Sequence, residues 1–196
     1  MKYILIITLL ICSATTFADT EDTTWLYNEA SLGFYDHDII GVKFDSPSLS
    51  DPTKLQHLNN PADGVIGMYQ RMFFHTQEHF SMYWGVSGAR WAINNNPFGS
   101  VSGFVAFRYW PIRTTNVSPY VEASILGPSL ITRYNLPGTD LGGNFLFENF
   151  LSIGVQLGHT HVFSIEASCM HYSSAGITKP NPGFNVPMAL QLAYSF

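Results

Sequence analysis

The last third of the chain alternates large apolar residues with polar or small ones, at every second position. From Phe145 to Leu157 the odd positions are mostly large and apolar, whereas Glu148, Ser152 and Gln156 occupy even positions. Residues two apart lie on the same face of a β-strand, so this segment predicts a strand with one apolar and one polar face. A strand of this kind separates lipid from a polar interior and is typical of membrane barrels.

The same alternation continues to the end of the chain and, less regularly, toward its beginning. Segments 162–173 and 188–196 repeat it, and the last residue, Phe196, lies on the apolar face. Tight connections near 76–78, 113–116 and 158–160 alternate with long ones at 46–62, 128–142 and 174–183, and the link at 94–98 is of intermediate length. Five further strands are predicted at roughly 29–45, 63–74, 79–92, 99–111 and 117–127.

The number of strands depends on one ambiguous segment. "FYDHDIIGVKF" is either part of one long first strand or two strands that meet at Asp36 to Asp38. Membrane barrels of a single bacterial chain have an even number of strands, which favours the single strand and a total of eight.

The amino-terminal residues predict export. Lys2 precedes an apolar run from Tyr3 to Ile11, and small residues lead to Ala18, which is the layout of a cleavable signal peptide. After residue 18 there is no apolar run of about 18 residues, so the sequence predicts no membrane-spanning helix. Charged residues are only 12% of the chain and aromatic residues are 15%. We therefore predict a signal peptide at 1–18 and a single domain at 19–196, an all-β, eight-stranded antiparallel β-barrel in the bacterial outer membrane.

A barrel of eight strands is too narrow for an aqueous pore, so its interior must be filled by side chains. We expect a hydrogen-bonded lumen network formed by the charged and amide residues of inward parity, namely Arg108, Glu122, Glu148, Gln156, Glu166 and Gln191.

Composition argues against several classes of function. The net charge of −5 disfavours nucleic acid as a partner. Removal of the signal peptide would leave Cys169 as the single cysteine, which predicts neither a disulfide scaffold nor a cysteine-rich metal site. The histidine pairs beside the tight turns have no cysteine or carboxylate at ligand spacing, so we expect no metal and no cofactor. The sequence leaves open whether the chain forms a homodimer.

Two polar residues interrupt the lipid-facing side of the seventh strand. The odd parity of Phe163, Ile165 and Cys169 places His171 and Ser173 on the same face, near the outer rim. Polar groups facing hydrocarbon are costly and are functional suspects for that reason. An imidazole beside a hydroxyl is the minimum equipment for a serine nucleophile. The structural alternative is a histidine that binds lipid headgroups and a serine that caps a loop.

The segment that begins at His171 resembles the sequence signature of a known family. "HYSSAGITKPNPGFN", residues 171–185, resembles the signature of the outer-membrane lipid A 3-O-deacylase (PagL) family, also described as acyloxyacyl hydrolase-like proteins. "SPYVEASILG" and "FLFENFLSIGVQLG" also resemble strands of that family. The resemblance implies a serine esterase, without a metal, that removes the ester-linked 3-hydroxyacyl chain at position 3 of lipid A. It implies Ser173 as nucleophile and His171 as general base.

Two positions depart from the family pattern. Asn185 stands where the pattern has a glutamate that orients the histidine, and Ser174 stands where it has an asparagine suited to the oxyanion. The resemblance therefore implies Asn185 as the orienting residue, with Ser174, Gly176 or a nearby backbone N–H at the oxyanion. Counted back from Phe196, Asn185 would face the lumen, unless Pro187 marks a β-bulge. The alternative function is a non-catalytic outer-membrane barrel with a structural or binding role.

Overall fold

Eight long strands form the core of the protein in the computed structural model. The structure describes residues 26–36, 60–76, 79–114, 116–158 and 160–196, and the backbone of two short strands at Ser46–Ser48 and Asp51–Gln56. The predicted signal peptide lies outside these residues. We label the long strands β1 (Asn28–Tyr35), β2 (Asp63–His75), β3 (Phe80–Ile93), β4 (Asn96–Tyr109), β5 (Val117–Ile131), β6 (Phe145–Leu157), β7 (Phe163–Ser173) and β8 (Phe184–Ser195).

These strands close into an antiparallel barrel. Each strand pairs with its neighbours in the chain, and β1 pairs with β8. The predicted all-β, eight-stranded antiparallel fold is confirmed. In the described part of the chain there is no helix of the length and apolarity needed to cross a membrane.

The two ends of the barrel differ. One end carries the short turns after β2, β4 and β6 together with the start of β1 and the end of β8, and we call it the inner rim. The other, the outer rim, carries the long loops before β2, β6 and β8. Two small hairpins extend from it, Ser46–Ser48 with Asp51–Gln56 and Asn135–Leu136 with Thr139–Asp140. Short turns face the periplasm in such barrels, so the outer rim faces the outside.

Several strand boundaries differ from the predicted ones. β1 ends at Tyr35 rather than near residue 45, and residues 37–45 lie outside the described part of the chain. The link predicted at 94–98 is a turn at Asn94 and Asn95, which have φ values of 49° and 64°, as two-residue hairpin turns require. β5 runs to Ile131, beyond the predicted end at 127.

A β-bulge explains the longer β5. Ile125 and Leu126 lie together opposite the single residue Asn149, and Leu126 has a φ of 59°. Because the bulge adds one residue, even positions face inward before it and odd positions face inward after it. Two adjacent apolar residues therefore interrupt the sequence alternation although the strand continues. The sequence pattern ends where the bulge begins.

The lumen holds the predicted polar network. Arg108 is fully buried and donates two hydrogen bonds to Glu29, of 2.6 and 2.9 Å, and another to Glu122. Its guanidinium carbon lies 4.2 Å from the ring centroid of Tyr120 and 4.9 Å from that of Tyr83. All of the predicted network positions are buried: Arg108, Glu122, Glu148, Gln156, Glu166 and Gln191.

Large aromatic residues fill the rest of the interior. Trp91 and Trp110 are 0% and 1% exposed, so their rings belong to the core and not to an aromatic belt at the membrane interface. Near the outer rim, the rings of Tyr172 and Phe184 stack with centroids 4.3 Å apart. This stack joins β7 to β8 from the inside, directly behind the residues of the candidate site.

Candidate active site

His171 and Ser173 lie on the outward face of β7, at its outer end. Inward-facing Met170 and Tyr172 are buried, whereas His171 is exposed and Ser173 is half-buried. The two-residue spacing places their Cα atoms about 6.5 Å apart on the same face. In the described part of the chain, no hydrogen bond joins the Ser173 hydroxyl to His171. The structure thus puts the pair on the lipid-facing side without closing the contact between them.

Asn185 lies beside His171 on the neighbouring strand. The two residues are direct partners in the register between β7 and β8, and Asn185 Oδ1 lies 2.8 Å from His171 Nδ1. Pro187 and Met188 of β8 together face the single residue Cys169, which is the bulge suggested by the proline. The bulge exchanges the two faces of β8, so Asn185 points outward toward the imidazole and not into the lumen.

The backbone around Asn185 is held by the loop that precedes β2. Asn185 N donates to Asn60 O at 3.3 Å, and Asn185 O accepts from Ala62 N at 2.8 Å. The side chain of Asn60 donates to Gly183 O at 2.9 Å. Among the described residues, β1 pairs with β8 as far as Leu190, and beyond it the 60–62 segment pairs with the outer part of β8. This pairing keeps Asn185 at a fixed height beside His171.

Gly183 permits the chain to return closely against β7. Its φ is 60°, and a Cβ placed there would lie 2.2 Å from Tyr172 O. Gly183→Ala should therefore unfold or displace the outer ends of β7 and β8, lowering the midpoint of thermal unfolding in a gel-shift assay of the folded barrel. Gly158→Ala is the matched control, because Gly158 also has a positive φ, of 88°, but nothing lies within 4 Å of an added Cβ. Equal midpoints for the two variants would contradict this reading.

Ser174 is committed to the structure of its own loop. It is fully buried, and its hydroxyl donates to Asn181 Oδ1 at 2.8 Å, while its backbone N–H donates to the same oxygen at 2.8 Å. A hydroxyl has one proton to donate, so the Ser174 side chain is not a free donor for an oxyanion in this structure. Asn181 therefore anchors this loop.

Gly176 lies in the turn immediately beyond the candidate pair. Ile177 N donates to Ser174 O at 3.0 Å, and the two central residues, Ala175 and Gly176, have φ values of 51° and 83°. Within the described residues, the backbone N–H groups of Ala175 and Gly176 make no hydrogen bond. Of the two predicted oxyanion positions, Gly176 is thus the one that has a donor to spare.

Asn149 is a further polar residue on the same outward surface, and the sequence did not single it out. It is the direct partner of His171 on β6, and its Nδ2 lies 3.5 Å from His171 O. Its Oδ1 accepts from Leu126 N at 2.8 Å, which satisfies the backbone donor at the β5 bulge. Asn149 is a polar residue among the apolar outward positions of β6, as His171 is in β7. The two-residue alternation that singled out His171 could therefore have identified Asn149 as well.

Asn149, His171 and Asn185 therefore form a polar row across β6, β7 and β8, with Ser173 at its outer edge. Among the described residues, no group of three His, Cys, Asp or Glu side chains is placed to hold a metal ion. The row offers an imidazole, amides and a hydroxyl, which are the groups of acid–base and nucleophilic chemistry.

Comparisons with known proteins identify the family of the chain. A family model described as Lipid A 3-O-deacylase (PagL) matches residues 64–195. Lipid A deacylase PagL of Bordetella bronchiseptica is 28% identical over 121 residues, a match that spans 62% of this chain and 61% of that protein's length.

Two solved structures share the fold. The barrel is similar to the crystal structure of the outer membrane enzyme PagL, with a TM-score of 0.59 and 16% identity over 86% of this chain and 99% of that one. It is also similar to Neisserial surface protein A (NspA), with a TM-score of 0.51 and 15% identity over 87% of this chain and 96% of that one. The family match contains the strands that carry His171, Ser173 and Asn185, and with the closed eight-stranded barrel it places the chain in the lipid A 3-O-deacylase (PagL) family, as a protein of the outer membrane.

Proposed function

We propose that this barrel hydrolyses the ester-linked 3-hydroxyacyl chain at position 3 of lipid A. The observation that carries the proposal is the contact between His171 Nδ1 and Asn185 Oδ1, 2.8 Å long, on the lipid-facing surface beside Ser173. The substrate is a lipid of the outer leaflet, so a site that opens sideways into the membrane meets it directly. The match to the lipid A 3-O-deacylase family supports the same substrate class.

The contact with Asn185 supports the imidazole tautomer that a base requires. An amide oxygen only accepts hydrogen bonds, so His171 carries its proton on Nδ1 and donates it to Asn185 Oδ1. Nε2 is then unprotonated and available to take a proton. Asn185 thus acts as the third group that orients the base, a role that an asparagine also fills in Cys-His-Asn sites.

Ser173 would act as the nucleophile in the first half of the reaction. As Ser173 Oγ bonds to the ester carbonyl carbon, its proton passes to His171 Nε2 and the carbonyl oxygen becomes an oxyanion. Collapse of this intermediate breaks the bond to the sugar oxygen, which takes the proton from His171. The product is an acyl-enzyme and lipid A with a free 3-hydroxyl.

A water molecule would complete the cycle. His171 Nε2 removes a proton from the water as its oxygen attacks the acyl carbon, and the same proton returns to Ser173 Oγ as the fatty acid leaves. The side chains of Ser173 and His171 must approach each other during this cycle. Catalytic hydrogen bonds that are open in a substrate-free structure commonly close when substrate binds, and both side chains lie on the outward face of β7.

Gly176 is the proposed oxyanion donor. Its backbone N–H lies three residues after Ser173, in a turn whose shape is fixed by the bond between Ile177 N and Ser174 O. Preorganised backbone donors at such a position are worth about 100 to 1,000-fold in rate. The role of Ser174 in this mechanism is to hold the turn through Asn181.

Asn185→Glu should raise the rate of deacylation by about tenfold. A carboxylate forms a charge-assisted hydrogen bond to the imidazole that is stronger than a neutral one by about 1–1.5 kcal/mol, and it also stabilises the imidazolium formed in the transition state. The measurement is kcat/KM on purified lipid A in detergent. Asn135→Glu, at an exposed loop position, adds the same charge away from His171 and should leave the rate unchanged. A slower Asn185→Glu enzyme would contradict the orienting role.

A non-catalytic barrel is the second candidate. Its support is the absence of a Ser173–His171 hydrogen bond among the described residues, together with the engagement of the Ser174 hydroxyl in its loop. The mass spectrum of lipid A from cells with and without the protein separates the two functions. Loss of one 3-hydroxyacyl chain in cells that produce the protein supports the esterase, and identical spectra support the non-catalytic barrel.

A further inference from the structure

A shallow groove lies on the outward surface of the barrel, on the side opposite the candidate active site. Its volume is about 400 Å³, and it crosses the outer half of β1 to β5. Its centre is on β3, which lies four strands from β7 in either direction around the barrel. Its apolar walls are formed by Leu32, Val65, Val101 and Leu130, which are 51%, 48%, 65% and 62% exposed.

Glycines form the floor of the groove at two positions where the neighbouring atoms would leave room for a larger side chain. Gly67 and Gly88 are direct partners on β2 and β3. A Cβ at Gly88 would meet nothing within 4 Å, and one at Gly67 would lie 4.0 Å from Ser31 O. By contrast, a Cβ at Gly85 would come within 2.3 Å of the Phe104 ring, and one at Gly154 within 2.3 Å of the Tyr120 ring.

Packing in the lumen thus explains Gly85 and Gly154, but it does not explain Gly67 and Gly88. Glycine inside a strand destabilises it by about 0.5–1 kcal/mol relative to alanine and commonly marks the close approach of a ligand or another backbone. The outward surface of β6 to β8 instead presents bulky residues at comparable positions, including Leu151, Ile153, Leu190 and Leu192. The groove is therefore a depression in the apolar outward surface, whereas the outward surface of β6 to β8 projects bulky side chains.

A cation stands at the outer end of the groove. Arg90 follows Gly88 by two residues toward the outer rim, on the same face, and pairs in register with Val65 and Gly99. The Arg90 side chain is exposed and, among the described residues, makes no ion pair and no hydrogen bond. The chain as a whole has a net charge of −5, so this arginine is a positive exception near the outer rim. Guanidinium groups bind phosphate in a bidentate way.

We propose that this groove binds one acyl chain of a phosphorylated glycolipid of the outer leaflet, with the Arg90 guanidinium paired with its phosphate. The glycine floor receives the chain, the four apolar residues flank it, and Arg90 fixes the headgroup above it. The charge of Arg90 favours this occupant over a second copy of the barrel. The site is separate from His171 and Ser173, so it holds whether or not those residues hydrolyse lipid.

Native mass spectrometry of the full-length barrel tests the proposal. The probe is hexa-acylated, bisphosphorylated lipid A, added to protein in detergent with Ser173→Ala introduced so that no chain is removed. Gly88→Leu fills the floor and Arg90→Ala removes the cation, and each should weaken the binding of one lipid A molecule by about tenfold or more. For Arg90→Ala, this factor is the contribution of one charge-assisted hydrogen bond. Lipid A without phosphates should bind this site more weakly by a similar factor.

Two control variants isolate the effect. Ala123→Leu enlarges a small outward residue on the inner half of β5, and Arg71→Ala removes an exposed outward arginine near the inner rim; neither should change lipid binding. Equal binding by Gly88→Leu, Arg90→Ala and the parent protein would overturn the proposal, as would equal binding of lipid A with and without phosphates. Protein dimers that disappear in Gly88→Leu would assign the groove to a second copy instead. Arg90 is exposed on the outward face, so Arg90→Ala decides the question if Gly88→Leu does not fold.

Discussion

Cells that produce the Ser173→Ala variant are expected to keep the full set of acyl chains on lipid A, whereas cells with the parent protein lose one 3-hydroxyacyl chain. Removal of a nucleophile lowers the rate of a serine hydrolase by about 10⁴-fold or more. The exposed thiol of Cys169 is four residues away on the same face. The measurement is the mass spectrum of extracted lipid A, supported by the rate on purified lipid A.

The matched control for this variant is Cys169→Ala, on the same outward row of β7. It removes the other nucleophilic side chain near His171 and should leave the spectrum like that of the parent protein. Both variants keep the inward face of β7 unchanged, so both should fold. Deacylation by Ser173→Ala at the parent rate would refute the serine mechanism, and its loss in Cys169→Ala would reassign the nucleophile.

Arg108→Met is expected to destabilise the barrel by about 3–5 kcal/mol. Two buried carboxylates, Glu29 and Glu122, lose the cation to which both are bonded, and breaking a buried ion pair from one side leaves uncompensated charge in the interior. Methionine fills a similar volume, so the effect reports charge more than packing. The measurement is the free energy of unfolding in urea, with the barrel refolded into lipid vesicles.

Neutralising the partners should reverse most of this loss. Adding Glu29→Gln and Glu122→Gln to the Arg108→Met background removes the stranded charges, and the triple variant should recover more than half of the stability. Arg71→Met, at an exposed outward position, should change stability by no more than about 0.5 kcal/mol. If Arg108→Met unfolds at the same urea concentration as the parent barrel, the lumen network contributes nothing to stability.

The fold could be predicted because a barrel wall obeys a two-residue period with few exceptions. Arg108, Glu122 and Glu166 were assigned to the lumen by parity alone, and all three are buried there. The outward placement of His171 and Ser173 follows from the same count. Family membership could be predicted because residues 171–185 hold His171, Ser173 and the return to β8 in one short segment.

The β-bulges and the loop contacts could not be predicted, because the alternation of residues along a strand does not reveal where an extra residue enters the strand pairing or how a loop folds back. The bulge at Leu126 hid the end of β5, and the pairing of residues 60–62 with Asn185 joins segments more than 120 positions apart. Ser174 was placed at the oxyanion from its position in the motif, but its burial and its bonds to Asn181 depend on how the loop folds back. Glu29 was missed as the second partner of Arg108, because it lies at the very start of the first strand.

The bulge at Pro187 and Met188 divides β8 into two segments whose phases are independent. The inner segment ends in the terminal Phe196 and keeps the phase of the wall, while the outer segment carries Asn185 in the opposite phase. If the same residues of β8 paired with β7 without the bulge, Val186 would lie opposite His171 and the Asn185 side chain would point into the interior. The single extra residue held in the bulge thus decides which side chain of β8 lies beside the imidazole.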